Sequence, residues 1–236
     1  TVWGNGQRRA LLLHGLTSAG STWWRVAEAL VQRGYTVVAP DLRGHGASPA
    51  GDSLSIESMR DDVLLLGGGW DLLIGHSMGG AVVAAVITKH PEFAEKVVLE
   101  DPAVNSEVTA QFLAESPEPL RNPTFAAIAA EHPDWHPQDV ERKLEALLAC
   151  GPDVSDRMMR DAAPWDIWPG VIKSELPILV IASDPEVETL VSEECAGELE
   201  SAETHARVVR IAGAGHSLHR EVFDQYMVLV REFVEA

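Results

Sequence analysis

Ser77 is the residue whose surroundings in this sequence most clearly indicate chemistry. It lies in Gly75-His76-Ser77-Met78-Gly79, between the apolar run 72–74 and the apolar segment 81–85. A serine at a sharp turn from a strand into a helix is held in a strained backbone conformation with its hydroxyl exposed, and flanking glycines relieve crowding in that turn. The helix amides that begin there can stabilise a negatively charged oxygen. The pattern predicts a nucleophilic serine, and a purely structural turn is the alternative.

His216 is the predicted base. A neutral serine hydroxyl is a poor nucleophile, so a base must reach it, and nine histidines compete for that role. His216 stands in a loop that follows the apolar run 208–211. This places it at the carboxyl end of the last predicted strand, where the functional loops of open parallel sheets collect. We expect His219 to neighbour the site, and we interpret His14 and His45 as structural.

Two backbone amides are candidates for an oxyanion hole. His14-Gly15-Leu16 follows the first predicted core strand, and a turn at that point can bring the Leu16 amide toward Ser77. Met78 is the first residue after the serine, and its amide would be the second donor. Two such donors can hold the negatively charged oxygen of a tetrahedral intermediate.

The elements that must position these residues alternate along the chain. Short apolar runs rich in β-branched residues alternate with segments of helical period, which predicts a mostly parallel sheet with helices on both faces. The predicted strands are Ala10–His14, Thr36–Pro40, Asp71–Gly75, Lys96–Glu100, Ile178–Ala182 and Arg207–Ile211.

The alternation stops between Pro102 and Leu176. This stretch has helical periodicity and many prolines, so we predict a helical insertion. Trp135, Trp165 and Trp168 lie within it. We expect these tryptophans to line a substrate pocket, and the alternative is that they only pack the insertion onto the sheet.

The composition excludes several function classes. The chain has 236 residues, 46% of them hydrophobic, and a formal charge of −18, which argues against binding nucleic acid or anionic membranes. The longest aliphatic run, Ala81–Ile87, is far shorter than the roughly 20 residues of a membrane span.

The two cysteines, Cys150 and Cys195, are too few for a disulfide framework or a metal site. A single disulfide between them is the alternative to two free thiols. Because Thr1 begins no charged-then-apolar leader, we expect a cytoplasmic protein, with secretion as the alternative. We also expect a monomer or a homodimer.

Four motifs, taken in order and spacing, resemble the α/β-hydrolase fold family over almost the whole chain. They are His14-Gly15, Asp41-Leu42-Arg43-Gly44-His45-Gly46, Gly75-His76-Ser77-Met78-Gly79-Gly80 and Gly215-His216. The resemblance implies a doubly wound, mostly parallel sheet with a helical lid inserted after the family's sixth strand. Residues 1–101 and 177–236 would form the core, and residues 102–176 the lid or cap. The two strands that usually open the family's sheet are short or absent here, and residues 1–4 would be a remnant of one.

The resemblance leaves two candidates for the carboxylate that orients the imidazole. The family takes this group from the end of either of two strands. Asp184 is at the commoner place, but its loop 183–186 is shorter than usual. Asp101 lies 24 positions after Ser77, a spacing similar to that of haloalkane dehalogenases and certain lactonases. We favour Asp101 and keep Asp184 as the alternative.

A serine in the nucleophile position excludes, by resemblance, the dehalogenase and epoxide-hydrolase branches, which need a carboxylate there. The resemblance therefore implies a serine esterase or lactonase that acts through an acyl-enzyme on Ser77. It implies neither a metal nor an organic cofactor. We expect a small, neutral, fairly apolar carboxylic ester or lactone as substrate. Carbon–carbon bond or amide hydrolysis on the same triad is one alternative, and a non-catalytic ligand receptor of this fold is another.

Overall fold

Seven strands form one sheet in the computed structural model, which describes residues 1–115, 123–151, 153–161 and 164–236. The strands are β1 (Val2–Trp3), β2 (Arg8–Leu13), β3 (Tyr35–Val38), β4 (Leu72–His76), β5 (Val97–Glu100), β6 (Ile178–Ala182) and β7 (Ala206–Arg210). Their order across the sheet is β1-β3-β2-β4-β5-β6-β7.

The six predicted strands are confirmed as β2 to β7, with ends that shift by at most two residues. They pair in parallel, and only β1 is antiparallel, against β3. Every residue of β4, β5 and β6 is buried. Strands covered on both faces need apolar side chains on both, which is why they read as continuous apolar runs. The predicted remnant at residues 1–4 contains the two residues of β1.

Helices cover both faces of the sheet, as the predicted doubly wound α/β class requires. They are α1 (Trp24–Val31), α2 (Ile56–Leu64), α3 (Met78–Lys89), α4 (Ser106–Glu115), α5 (Phe125–Glu131), α6 (Pro137–Ala149), α7 (Val154–Asp161), α8 (Trp168–Ile172), α9 (Glu193–Ser201), α10 (Leu218–Glu221) and α11 (Phe223–Glu235). Residues of α2, α3 and α9 belong to the core cluster on one face, and residues of α1 and α11 to the cluster on the other.

The predicted insertion contains α4 to α8 within the described residues, between β5 and β6. Residues 116–122, 152, 162 and 163 of the predicted lid lie outside the described part. In the strand count of this structure the insertion follows the fifth strand. The carboxylate of Asp139 on α6 ties it to the core, because Trp24 Nε1–H donates to that carboxylate at 2.7 Å and Arg25 approaches it to 3.4 Å. The domain division at residues 102 and 176 stays a prediction.

Two expectations from the sequence, on membrane spans and on the cysteines, can be compared with the described residues. Within them, no helix combines the length and the apolar character needed to cross a bilayer. Cys150 and Cys195 are both partly buried free thiols.

We expect Leu12→Ala in β2 to lower the free energy of unfolding by about 2–5 kcal/mol, because the leucine is completely buried and its loss leaves a cavity in the sheet core. Leu65→Ala is the matched control, since Leu65 is 85% exposed, and it should change stability by less than about 0.5 kcal/mol. Urea denaturation followed by fluorescence measures both. Equal effects of the two substitutions would contradict the assignment of the core.

Candidate active site

Ser77 lies at the sharp turn between β4 and α3, with backbone angles φ 53° and ψ −119°. A positive φ is strained for a residue with a Cβ, and such strain concentrates at functional sites. The glycines on either side are required by space. A Cβ at Gly75 would lie 2.5 Å from the carbonyl oxygen of Gly79, and a Cβ at Gly79 would lie 2.3 Å from that of Leu13. The predicted strand–turn–helix is therefore present, and its close contacts explain the motif.

His216 follows β7, and its Nδ1–H donates to Oδ2 of Asp101 at 2.6 Å. Burial, the largest single influence, lowers the pKa of His216. The hydrogen bond and charge of Asp101, together with two nearby glutamates, outweigh burial and raise the pKa above its ordinary value. The carboxylate thus fixes the tautomer of the ring, so that Nε2 carries the free lone pair.

Asp101 follows β5, is completely buried and has a φ of 35°. Besides His216, its carboxylate accepts hydrogen bonds from Thr189 Oγ1 at 2.6 Å and from the Leu190 amide at 3.0 Å, with a longer contact of 3.4 Å from the Ser183 amide. All three donors come from the segment after β6. A buried carboxylate needs such partners, because desolvation otherwise favours its neutral form.

Asp184, the alternative acid of the sequence analysis, does not contact His216. Its two carboxylate oxygens accept hydrogen bonds from the amides of Glu186 at 2.9 Å and Gly213 at 2.7 Å. These bonds, that of Gly213 first, lower the pKa of Asp184. The Asp184 side chain therefore joins the loop after β6 to the loop that carries His216. This position corrects the assignment of Asp184 as a candidate triad acid.

Ser77 and His216 line one cavity of about 200 Å³, together with Leu16 and Met78. The described residues include no hydrogen bond between the Ser77 hydroxyl and the His216 ring, and such bonds often form fully only with substrate in place. The amides of Leu16 and Met78 likewise donate to no described residue. Their role as oxyanion donors stays a prediction.

The three tryptophans of the insertion have different positions. Trp135 lines the cavity, as expected. Trp165 and Trp168 do not line it, which corrects the prediction for them. Both belong to the main hydrophobic core. The indole N–H of Trp165 donates to Ala103 O at 3.1 Å, and that of Trp168 to Cys195 O at 3.0 Å. These two side chains pack the insertion onto the sheet, which was the alternative.

Three further residues position the loop that carries His216, and the sequence analysis missed their roles. His76 Nε2–H donates to the backbone oxygen of His216 at 3.0 Å. His219 donates from its amide at 2.9 Å and from Nδ1 at 2.7 Å to one oxygen of Glu100. Glu100 is fully buried at the end of an otherwise apolar strand. A carboxylate as the last residue of an otherwise apolar strand was the available signal.

His14 and His45 have the structural roles expected of them. His14 Nδ1–H donates to Gly15 O at 2.8 Å, and its Nε2 accepts from the Leu42 amide at 3.0 Å. Burial, and next the nearby His45, lower the pKa of His14 to about 3. The ring stays neutral and holds together the turn that precedes Leu16.

Two cationic side chains also line the cavity and were not singled out in the sequence. They are Lys143 on α6 and Arg220 on α10. At the level of sequence, Lys143 is one of several charged residues in an amphipathic helix, so nothing separated it from a solvent-facing lysine. Within the described residues, no three His, Cys, Asp or Glu side chains come together as a metal site.

The sheet order and the strand–turn–helix at Ser77 define an α/β-hydrolase fold. The chain belongs to the alpha/beta hydrolase family, whose model matches residues 10–227.

The two lipases below match part of the chain only, and the chain spans less than half of their length. The chain is 36% identical over 104 residues to lipase LipV of Mycobacterium tuberculosis, covering 42% of this chain and 39% of the lipase. It is 38% identical over 104 residues to the sn-1-specific diacylglycerol lipase ABHD11 of Danio rerio, covering 42% of this chain and 33% of that protein. The enol-lactonase of Burkholderia xenovorans LB400 has a similar structure, with a TM-score of 0.76, 25% identity, and coverage of 100% of this chain and 95% of that one.

We expect Asp101→Asn to lower the turnover of a 4-nitrophenyl ester by on the order of 10⁴-fold, because the amide can no longer hold the imidazole in the required tautomer. Asp184→Asn is the matched control and should change turnover by less than about threefold. Thermal unfolding of both variants checks that the fold is retained. A larger loss of turnover from Asp184→Asn than from Asp101→Asn would contradict the geometry described above.

Proposed function

We propose that the protein hydrolyses a small carboxylic ester or lactone through an acyl-enzyme on Ser77. The observation that carries this proposal is the coincidence of three features at one cavity. A strained serine and a histidine paired with a buried aspartate line it, and the two residues proposed to supply the oxyanion amides, Leu16 and Met78, line it as well. Each feature also occurs in structural roles, but their convergence is what acyl transfer requires.

The reaction divides into two half-reactions. The Ser77 hydroxyl attacks the substrate carbonyl while His216 Nε2 takes its proton. The carbonyl oxygen becomes negatively charged and accepts hydrogen bonds from the amides of Leu16 and Met78. His216 then returns the proton to the leaving alcohol oxygen as the carbon–oxygen bond breaks. In the second half, water attacks the acyl-enzyme, His216 takes a water proton, and the same proton restores the Ser77 hydroxyl.

The walls of the cavity favour a small substrate with an apolar body. Apolar side chains from the insertion line the cavity: Phe112, Leu113, Ile128, Leu147 and Met158. A volume of about 200 Å³ is below the usual range for drug-sized ligands. The names of two lipases and an enol-lactonase among the similar proteins support an ester bond as the target.

A serine-directed fluorophosphonate should add one label per chain to the wild-type protein, as measured by intact mass. Ser77→Ala should abolish the adduct, because the probe reacts only with an activated serine. Ser155→Ala is the matched control, since Ser155 lines the same cavity but lies away from the turn, and it should keep the adduct. A wild-type protein that stays unlabelled would favour the receptor alternative, and labelling that persists in Ser77→Ala would place the nucleophile elsewhere.

The pH profile of kcat/KM should have an acid limb set by His216. The base works only as the neutral imidazole, so activity falls as the pH drops through its pKa. Burial lowers this pKa, but Asp101 and two nearby glutamates together outweigh burial and raise it above its ordinary value. In Asp101→Asn the raising charge is lost while burial stays, so the limb should move to lower pH. Hydrolysis of a neutral ester between about pH 5 and about pH 9 measures this, and an unmoved limb would contradict the pairing.

A further inference from the structure

Lys143 places a positive charge in the cavity without a carboxylate partner. Its ammonium donates to the backbone oxygen of Thr17 at 3.0 Å and to Thr17 Oγ1 at 2.9 Å. An ammonium has three donors, so one N–H has no partner among the described contacts. Burial, and next the charge of Arg220, lower the pKa of Lys143 to about 7, and the charge of Glu131, which lines the same cavity, opposes this only in part. No carboxylate forms an ion pair with the ammonium among the described contacts.

Arg220 is the second cation in the cavity without a carboxylate partner among the described contacts, and only 3% of its surface is exposed. The described hydrogen bonds of its guanidinium go to hydroxyls only, to Ser18 Oγ at 3.1 Å and to Ser217 Oγ at 3.5 Å. Its Nε has no partner among the described residues. Trp135 packs its ring against the guanidinium, at 4.8 Å from the ring centre.

The carboxylates near Arg220 are engaged by other groups. Asp139 accepts from Trp24 and Arg25. Glu100 accepts from His219, and Glu221 accepts from the amides of Gly215 at 2.7 Å and Ser217 at 3.3 Å. None of the three forms an ion pair with Arg220 among the described contacts. The guanidinium is thus held at the cavity wall by packing and hydroxyls, not by a counter-ion of the chain.

We propose that Lys143 and Arg220 form a subsite for a carboxylate group that the substrate carries away from its scissile carbonyl. This inference rests on the proposed function, and it replaces the neutral substrate expected from composition. A buried cation without a counter-ion is costly, and an anionic ligand in the same cavity would remove that cost. The net charge of −18 repels anions over long distances, so an anionic substrate requires cations at the site itself.

A competing role for Lys143 is support of the turn at Thr17, which has a φ of 56° and follows the oxyanion residue Leu16. Such support would affect every substrate equally. A carboxylate subsite would instead change the ratio between a charged substrate and its neutral counterpart. The two roles can therefore be separated by comparing substrates within each variant.

The experiment compares the monoethyl ester of glutaric acid with ethyl pentanoate as substrates of the wild type and Lys143→Gln. In Lys143→Gln, kcat/KM for the half-ester should fall by about tenfold or more, and for the neutral ester by less than about threefold. Arg142→Gln is the matched control, because it removes the same charge from the neighbouring, exposed position on α6, and it should change neither value. An equal fall for both esters in Lys143→Gln would overturn the subsite in favour of support for the turn.

Binding to Ser77→Ala separates the subsite from the chemistry. Calorimetry should show that this variant binds the half-ester more tightly than ethyl pentanoate, and that adding Lys143→Gln removes the preference. If the wild type cleaves neither ester and takes up no phosphonate while this preference persists, the subsite stands and the acyl-enzyme proposal falls. If Ser77→Ala has no preference for the half-ester, the subsite is wrong. Arg220→Gln, checked by thermal unfolding, should reduce the same preference.

Discussion

The hydrogen bond between Asp101 and His216 is the interaction on which the rest of the site depends. A completely buried carboxylate is unfavourable unless several donors face it, and the segment after β6 supplies them through Thr189 and Leu190. Under the proposed mechanism, the same donors hold the carboxylate in place beside the imidazole. The position of the base thus depends on three separate parts of the chain, which follow β5, β6 and β7.

The parallel sheet explains why those parts meet. Ser77, Asp101 and His216 each follow the carboxyl end of a strand, and in a parallel sheet these ends lie along one edge. Because β4, β5 and β6 are buried on both faces, a shift in their register would disturb the core at the same time as the site. The stability of the sheet therefore fixes the distances between residues that are far apart in sequence. His76 donates a hydrogen bond to the backbone oxygen of His216, and His219 donates one to Glu100. These two bonds set the orientation of the loop that carries His216.

The strands and Ser77 could be predicted because their signals are local. An apolar run without polar interruption has few alternatives to a buried strand, and glycines two positions before and after Ser77 reflect contacts within the turn itself. The choice between Asp101 and Asp184 could not be made in the same way, because both follow a strand and only the donors around each carboxylate distinguish them. The position of Trp165 was predicted wrongly, and the role of Lys143 was missed, for a related reason. Residue type gives no indication of whether a side chain on the insertion faces the sheet, the solvent or the cavity.

Under the proposed mechanism, the charges around His216 must also be arranged so that a proton taken from the serine stays where it can be returned. The His76 ring lies 4.7 Å from that of His216 and 5.3 Å from that of His219, so three imidazoles compete for that proton. Burial, and next the charges of His216, His219 and Arg220, lower the pKa of His76 well below its ordinary value, whereas Asp101 raises that of His216 against the effect of burial. The difference keeps His76 neutral, with its Nε2–H donating to the backbone oxygen of His216. A second protonated ring beside His216 would oppose its protonation through charge repulsion. The low pKa of His76 therefore supports the basicity of His216.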